Sequence, residues 1–122
     1  MDTREVIESY YRYASPRDRV RWLALFDPDV VLEEQLVGKV VGIEALTRLI
    51  VTLDRAYPEF REVPRHVVID GDQACVIGDI STVTASGAAI EVRAASYFRV
   101  VGGKITHFVN VHDTAPFPRP RH

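Results

Sequence analysis

The stretch that most constrains the fold of this chain runs from residue 88 to residue 113 and has the pattern of one long β-hairpin. In its first half, one set of alternate positions is largely apolar: Ile90, Val92, Ala94, Ser96, Phe98 and Val100. This period of two, rich in β-branched and aromatic residues, is typical of a strand with one buried face. The pair Gly102-Gly103 fits the turn, and residues 104–112 return as the second strand. Because an isolated hairpin is only marginally stable in water, we expect this one to pack over other elements.

The turn leaves two registers open, and they bury opposite faces of the second strand. A two-residue turn gives the pairs Phe98–His107 and Ser96–Val109. A three-residue loop with Gly103 in a bulge gives the pairs Ser96–Phe108, Ala94–Asn110 and Val92–His112. Hydrophobicity alone slightly favours the first register, which buries Ile105, Val109 and Val111.

The composition predicts one ordinary globular domain, residues 1–122, and argues against several classes of function. The formal net charge is −2 and there is no basic block, so binding of nucleic acid through its phosphates is not expected. No apolar run is long enough to span a membrane, and the acidic N-terminus lacks the apolar core of a secretory signal, so we expect a cytoplasmic protein. No spacing of Cys and His residues suggests a metal. Cys75 lies in an apolar strand pattern and is expected to be a buried, inert thiol.

Helices are predicted in the first half of the chain and strands in the second. Asp2 and Glu5 have the spacing of a capping box at the start of a first helix. Ser15 and Pro16 fit the cap and first position of a second helix. The remaining elements are a short strand at 30–34, a loop at 37–42, a third helix over 45–53, strands at 60–69 and 74–83, and an extended tail at 115–122. Helices collected before an antiparallel meander predict an α+β fold, with three helices packed on a strongly curved sheet that encloses a pocket.

Several stretches of the chain resemble the nuclear transport factor 2-like superfamily, in particular its ketosteroid isomerase and SnoaL-like branches. The residues that carry the likeness are 22–34, 37–38, 42–46 and 97–107. The resemblance implies the cone-shaped form of the α+β fold and a homodimer that pairs through the outer face of the sheet, near Arg93, Tyr97 and Arg99. It does not fix the activity, because the superfamily hosts isomerases, cyclases, hydrolases, dehydratases and binding modules.

The resemblance also implies which residues face the pocket. It favours the three-residue register, in which Phe108, Asn110 and His112 line the pocket beside Ser96 and Phe98. Trp22 is expected on the core-facing side of the second helix, where it would line the pocket.

Glu34 matches the carboxylate with which ketosteroid isomerases carry a proton between two carbons. A carboxylate in an apolar cavity takes and returns a proton near neutrality because burial disfavours its charged form. The alternative is a solvated glutamate at a strand end. Tyr10 matches the tyrosine that donates a hydrogen bond to the developing oxyanion, the alternative being an ordinary core tyrosine.

Other positions depart from the patterns of these enzymes. Ser96 stands where steroid isomerases have a protonated aspartic acid, and a serine hydroxyl is a weaker donor. Asn110 can orient a carbonyl or a water but cannot exchange a proton at neutral pH. The Arg-x-Asp motif of epoxide hydrolases is missing, because Gly-Asp-Ile-Ser occupies residues 78–81 in that region. Epoxide hydrolysis is therefore the weakest of three hypotheses about the function. His112 has an imidazole suited to proton transfer, with a structural role as the alternative.

We therefore expect an enzyme that moves a proton next to a carbonyl, either an isomerase or a cyclase, acting on a hydrophobic steroid-like or polyketide-like substrate. Glu34 would be the base and Tyr10 the oxyanion donor, while Asn110 and His112 would position or protonate the substrate. No cofactor is expected, since the sequence has no Gly-rich phosphate cradle. The competing hypothesis is a non-catalytic ligand-binding or assembly module with the same fold. The environment of Glu34 separates the two, because a carboxylate that is exposed or paired with a cation is a poor base at neutrality.

Overall fold

The structure, a computed structural model, describes residues 1–118. Its elements in chain order are α1 (Thr3–Ala14), α2 (Arg19–Leu23), β1 (Phe26–Glu34), β2 (Gly38–Val41), α3 (Ile43–Ala56), β3 (Glu59–Asp70), β4 (Gln73–Val83), β5 (Ala89–Val101) and β6 (Lys104–His112). The six strands form one curled sheet in the order β2-β1-β6-β5-β4-β3. All neighbours are antiparallel except β1 and β6, which run parallel. The predicted α+β class, with three helices on a mostly antiparallel curved sheet, is confirmed.

The first helix begins as the sequence predicts. The Asp2 carboxylate accepts from the Glu5 backbone N–H at 2.8 Å, and the Glu5 carboxylate accepts from the Asp2 backbone N–H at 3.3 Å. This capping box satisfies two of the free donors at the helix start. The helix lays one apolar stripe on the sheet: Val6, Ile7, Tyr10, Tyr11 and Ala14.

The prediction that Ser15 begins the second helix is wrong. Arg17 has a φ of 57°, in the left-handed region, which interrupts the helical path. The helix begins one residue after Asp18, whose carboxylate accepts from the Arg21 backbone N–H. Ser15 instead ends α1, and its hydroxyl bonds to the backbone of Glu62 on β3.

The predicted loop at 37–42 contains a short strand, β2. This strand pairs with the end of β1 in the register Glu34↔Gly38 to Val31↔Val41. It forms an edge of the sheet, and Val41 is 59% exposed. Because little of this strand is buried, its sequence lacks the alternation of apolar and polar residues that would predict a strand.

The hairpin of β5 and β6 combines the two predicted registers. Gly102 and Gly103 form a two-residue turn with φ angles of 59° and 76°, and Val100 pairs with Ile105. One extra residue, Thr106, then shifts the register, so that Arg99 pairs with His107. From there the pairs are Phe98↔Phe108, Ser96↔Asn110 and Ala94↔His112.

The extra residue is a β-bulge, and it changes which face of β6 is buried. Before it, Ile105 is fully buried; after it, Phe108 and Asn110 are buried at 5% and 8% exposure. The prediction that Phe108, Asn110 and His112 turn inward is therefore confirmed, whereas both sets of predicted pairs around Ser96 are wrong. The expectation that Val109 and Val111 are buried with Ile105 is also wrong, because the bulge turns them outward.

An aromatic cluster fills the space between α1 and the sheet. Phe98 has no exposed surface and its ring lies 4.9 Å from Phe108 and 5.0 Å from Tyr10. Tyr10 in turn contacts Trp22 at 5.5 Å. Aromatic pairs at these separations add stabilisation beyond the area that they bury.

Among residues 1–118, no helix covers the outer face of the sheet. Cys75 is exposed there, so its predicted burial is wrong: its neighbours Ala74 and Val76 take the inner positions, and strand alternation turns Cys75 outward. Asp79 also faces outward, where its carboxylate pairs with Arg65 and Arg93.

The C-terminal segment begins with a turn instead of the predicted extended tail. The Phe117 backbone N–H donates to the Thr114 carbonyl at 3.1 Å. The Phe117 ring packs against His112 at 5.0 Å and Tyr57 at 6.1 Å. The last part of that predicted tail, residues 119–122, lies outside the described residues. Among residues 1–118, no helix is long and apolar enough to cross a membrane.

We predict that Phe98→Ala lowers the free energy of unfolding by about 3–5 kcal/mol, because it opens a cavity in the aromatic cluster. The control is Val101→Ala on the same strand, where the side chain is 53% exposed and the change should stay within about 0.5 kcal/mol. Urea unfolding followed by circular dichroism measures both. Equal losses in the two variants would contradict this view of the core.

Candidate active site

A cavity of about 160 Å³ lies between the inner face of the sheet and the helices. A cavity of roughly this size holds one benzene-sized ring. Its wall is mostly apolar and includes Leu32, Leu36, Leu46, Leu49, Ile50, Leu53, Ile80 and Phe108. The polar residues on the wall are Tyr10, Trp22, Glu34, Tyr57, Glu62, Thr82, Asn110 and His112, with Arg17, Arg19 and Asp54 at a partly exposed edge. In the described part of the chain, no cluster of three or more His, Cys, Asp or Glu side chains is placed to bind a metal ion.

Glu34 and His112 form a pair on one side of this cavity. The parallel pairing of β1 with β6 brings the ends of the two strands together, with Glu34 opposite Asn110. His112 Nε2 lies 2.6 Å from Glu34 Oε1, and the two side chains are 4% and 17% exposed. Glu34 Oε2 also accepts from the backbone N–H groups of Leu36 at 2.8 Å and Val37 at 3.2 Å. Three donors therefore hold this carboxylate in place.

The hydrogen bonds of His112 favour its charged form. Its Nδ1 lies 2.8 Å from the Asp113 carbonyl oxygen, and its Nε2 contacts the Glu34 carboxylate. Both partners only accept hydrogen bonds, so both are satisfied when both ring nitrogens carry a proton. The hydrogen bond to Glu34 raises the pKa of His112 above its ordinary value of 6.5, and the Asp113 carbonyl adds to the effect.

Tyr10 presents a protonated phenol to the cavity. Burial is the main cause that raises its pKa well above the usual 10.0, and the nearby Glu62 adds to the shift. Within residues 1–118 its hydroxyl has no hydrogen-bond partner. The indole N–H of Trp22, another wall residue, is also buried and has no acceptor in the same part of the chain. The Tyr10 hydroxyl and the Trp22 N–H thus belong to residues of one apolar cavity, and Arg17 Nε, at its edge, also lacks a hydrogen bond among the described residues but lies 3.3 Å from Asp54 Oδ1.

Ser96 and Phe98 do not line the cavity, although the sequence analysis expected them there. They lie one layer deeper, at 1% and 0% exposure, because Tyr10 and Phe108 cover them. The Ser96 hydroxyl accepts from Asn110 Nδ2 at 2.9 Å. This bond orients Asn110, and burial behind the wall keeps Ser96 away from a ligand in the cavity.

The wall also carries a carboxyl group that the sequence analysis did not select, Glu62 on β3. Its side chain is on the inner face because Glu62 pairs with Ile80, and Ile80 is buried. Glu62 is only 6% exposed. No hydrogen bond or ion pair of its carboxyl group is found among the described residues. An unpaired buried glutamate is rare in folded proteins.

Burial disfavours the charged form of Glu62. It raises the pKa of this carboxyl from 4.5 to about 7, and the cationic His112 across the cavity moderates the shift. A carboxyl group of this kind is divided between its acid and its base form at neutral pH, as proton transfer requires.

Ser15 fixes the backbone of Glu62. The Ser15 hydroxyl accepts from the Glu62 N–H at 3.0 Å and donates to the Glu62 carbonyl at 3.2 Å. Because β3 is an edge strand, these two backbone groups have no neighbouring strand to bond. The sequence signal for an inward Glu62 was its shared parity with Phe60, which is also on the cavity wall.

The raised pKa of Glu62 predicts that the protein loses stability as the pH rises from about 4.5 to about 7. In that window the folded state binds the proton more tightly than the unfolded chain, so raising the pH costs up to about 3 kcal/mol. Glu62→Gln removes this loss, and the stability difference between variant and wild type should grow by that amount between pH 4 and pH 8. Urea unfolding at both pH values measures it. Glu59→Gln, an exposed change on the same strand, is the control, and a difference independent of pH in the Glu62 variant would contradict the assignment.

Comparisons with known proteins agree with this architecture. Among solved structures, an NTF2-like protein of unknown function from Burkholderia pseudomallei is 20% identical with a TM-score of 0.89, covering 95% of this chain and 94% of its own. A candidate SnoaL-like polyketide cyclase from Jannaschia is 18% identical with a TM-score of 0.82, covering 93% and 87%. A protein with a ketosteroid isomerase-like fold from Catenulispora acidiphila, in complex with trimethylamine, is 15% identical with a TM-score of 0.81, covering 89% and 85%. At these identities the likeness establishes the fold and leaves the reaction open.

A comparison with curated proteins found no match. The family model of the SnoaL-like domain, however, matches residues 7–108, which is most of the chain and includes most of α1, the first five strands and the first half of β6. This protein therefore belongs to the SnoaL-like domain family.

Proposed function

We propose that this protein is an enzyme that moves a proton next to the carbonyl group of a small hydrophobic substrate, as an isomerase or a cyclase. The structural neighbours described as cyclase and ketosteroid isomerase-like are consistent with this class of reaction. The volume of the cavity adds a limit on size. A single ring is enclosed, and the remainder of a polyketide-like or steroid-like substrate would extend past the partly exposed edge near Arg17 and Asp54.

The observation that carries the proposal is the Tyr10 phenol in an apolar cavity, protonated and without a protein acceptor. Its hydroxyl opens to the cavity and has no acceptor among residues 1–118, and a carbonyl oxygen of a bound substrate would supply one. The same hydrogen bond strengthens when negative charge develops on the oxygen as a proton leaves the neighbouring carbon. The unpaired Trp22 N–H suits the same kind of acceptor.

The reaction also needs a base, and two carboxyl groups are on the wall, Glu34 and Glu62. The proton moves from the carbon next to the carbonyl to a carboxylate, and the electron pair passes to the carbonyl oxygen as an enolate. Returning the proton to a different carbon completes an isomerisation. Attack of the enolate carbon on a second electrophilic carbon of the same molecule completes a ring closure.

The test uses cyclohex-3-en-1-one, a one-ring ketone of the size that the cavity encloses. We expect the protein to convert it to the conjugated cyclohex-2-en-1-one, which is followed by its ultraviolet absorbance. Tyr10→Phe keeps the ring in the aromatic cluster but removes the donor, so the rate should fall about 100-fold or more. Tyr13→Phe, on the same helix and away from the cavity wall, should leave the rate unchanged.

If the protein neither converts the enone nor exchanges the protons next to the carbonyl with solvent deuterium, the proposed reaction is wrong. A rise in melting temperature with cyclohex-2-en-1-one under those conditions would favour the competing hypothesis, a ligand-binding module.

We also propose that two copies of the chain pair through the outer face of the sheet. Two rows of paired residues cross this face: Val68, Cys75, Tyr97 and Val109, and then His66, Ile77, Ala95 and Val111. Val68 and Val111 are 65% and 48% exposed in the single chain. A largely apolar surface of this kind on a sheet, flanked by the charged Asp79 network, suits the binding of another protein.

We predict that the wild-type protein sediments as a dimer and that Val111→Lys shifts it to a monomer, because a charge is placed in the apolar patch. Val51→Lys on α3 is a matched control, since Val51 is 47% exposed and lies on the helical side. Sedimentation velocity at several protein concentrations measures the oligomeric state of the wild type and of the two variants. A wild-type monomer at every concentration, or equal effects of the two changes, would contradict the proposed interface.

A further inference from the structure

We propose that Glu62, and not the predicted Glu34, is the catalytic residue that takes and returns the proton. This inference rests on the proposed function and assigns the base within the same cavity. It follows from the bonding of the two carboxyl groups, from the charges that face them and from the way in which the chain holds Glu62 in place.

The two carboxyl groups differ in how much of their bonding capacity is free. Glu34 is held by the His112 ring and by two backbone N–H groups, so three of its lone-pair directions are occupied. A proton arriving on this carboxylate would weaken all three hydrogen bonds, because a neutral carboxyl group is a poorer acceptor than a carboxylate. The Glu62 carboxyl group has no hydrogen bond among the described residues, so it can bind a proton without breaking any existing contact.

The charges around Glu62 also suit the task. From α1 it faces Tyr10 and Tyr11, both neutral because burial raises their pKa values. From β4 its partner is the apolar Ile80, and from β6 the charge that acts on it is His112, whose positive charge is already paired with Glu34. No cation is in ion-pair contact with Glu62 in the described part of the chain, so nothing locks it in its ionised form.

The position of Glu62 relative to Tyr10 fits a shared substrate. Both side chains are on the cavity wall and are close enough for Glu62 to raise the pKa of the Tyr10 phenol. A carbonyl oxygen bonded to Tyr10 would therefore lie in the same cavity as the Glu62 carboxyl group. Ser15 holds the Glu62 backbone against the end of the same helix, which limits movement between the two groups.

The step balances without any other reactant. With cyclohex-3-en-1-one, the Glu62 carboxylate removes a proton from C2, the carbon between the carbonyl and the double bond. The C–H electron pair forms a dienolate whose oxygen accepts from Tyr10. The protonated Glu62 then gives its proton to C4, the conjugated enone forms, and the carboxylate is restored.

The experiment compares Glu62→Gln, Glu34→Gln and the control Glu59→Gln in the conversion of cyclohex-3-en-1-one. We expect Glu62→Gln to lose 100-fold or more of kcat, as for removal of a general base. The wild type should show a kcat/KM that rises with pH through about 7, where the Glu62 carboxyl loses its proton. Glu34→Gln should keep measurable turnover and a kcat/KM that still rises with pH, and Glu59→Gln should match the wild type.

A second measurement shows that the variants remain folded and that the group titrates. In protein labelled with ¹³C at the glutamate carboxyl, one resonance should titrate near pH 7 and should be absent from Glu62→Gln only. An active wild type with an equally active Glu62→Gln would overturn this inference and leave the proposed function standing. So would loss of activity in Glu34→Gln alone, or the same loss in both variants. An inactive wild type would instead refute the proposed function itself.

Discussion

The arrangement of the whole inner face depends on one extra residue, the bulge at Thr106 in β6. A regular strand alternates strictly, so it could bury Ile105 or Phe108 but not both. The bulge lets both turn inward, and each contributes about 1.5–3 kcal/mol of apolar burial. It also decides which face each later residue of β6 takes. Asn110 and His112 therefore reach the cavity, while Val109 and Val111 turn to the outer face. The core, the site and the proposed interface thus share one local irregularity.

Within the site, environment separates two chemically identical side chains. Glu34 lies at the meeting of two strand ends, where backbone N–H groups and an imidazolium stabilise its charge. Glu62 lies on an edge strand and is 6% exposed, and its carboxyl group has no hydrogen bond or ion pair among the described residues, so burial raises its pKa. Opposed environments of this kind are how one site holds an ionised group and a proton carrier at the same pH. A buried carboxyl without a partner destabilises the fold, and such conflicts with local rules are concentrated at functional sites.

The aromatic cluster explains why the phenol of Tyr10 is well placed for such a role. Its ring is held by Phe98, Phe108 and Trp22, so the hydroxyl position is fixed before any ligand binds. A donor that needs no rearrangement is the arrangement that favours a developing oxyanion. Beneath it, the bond from Asn110 to Ser96 orients the amide. Ser96 therefore supports the wall of the cavity from behind.

The sequence alone determined the fold class, the capping box at Asp2 and the inward face of β6, because each follows from a local period or from the family likeness. It also named four polar residues that the structure brings to one cavity: Tyr10, Glu34, Asn110 and His112. The tertiary structure alone decided the bulge, the outward turn of Cys75 and the importance of Glu62. The physical reason is separation along the chain: Ser15, which fixes Glu62, lies 47 residues before it. Whether a carboxylate has hydrogen-bond partners depends on residues from other strands, and no local sequence pattern identifies those residues.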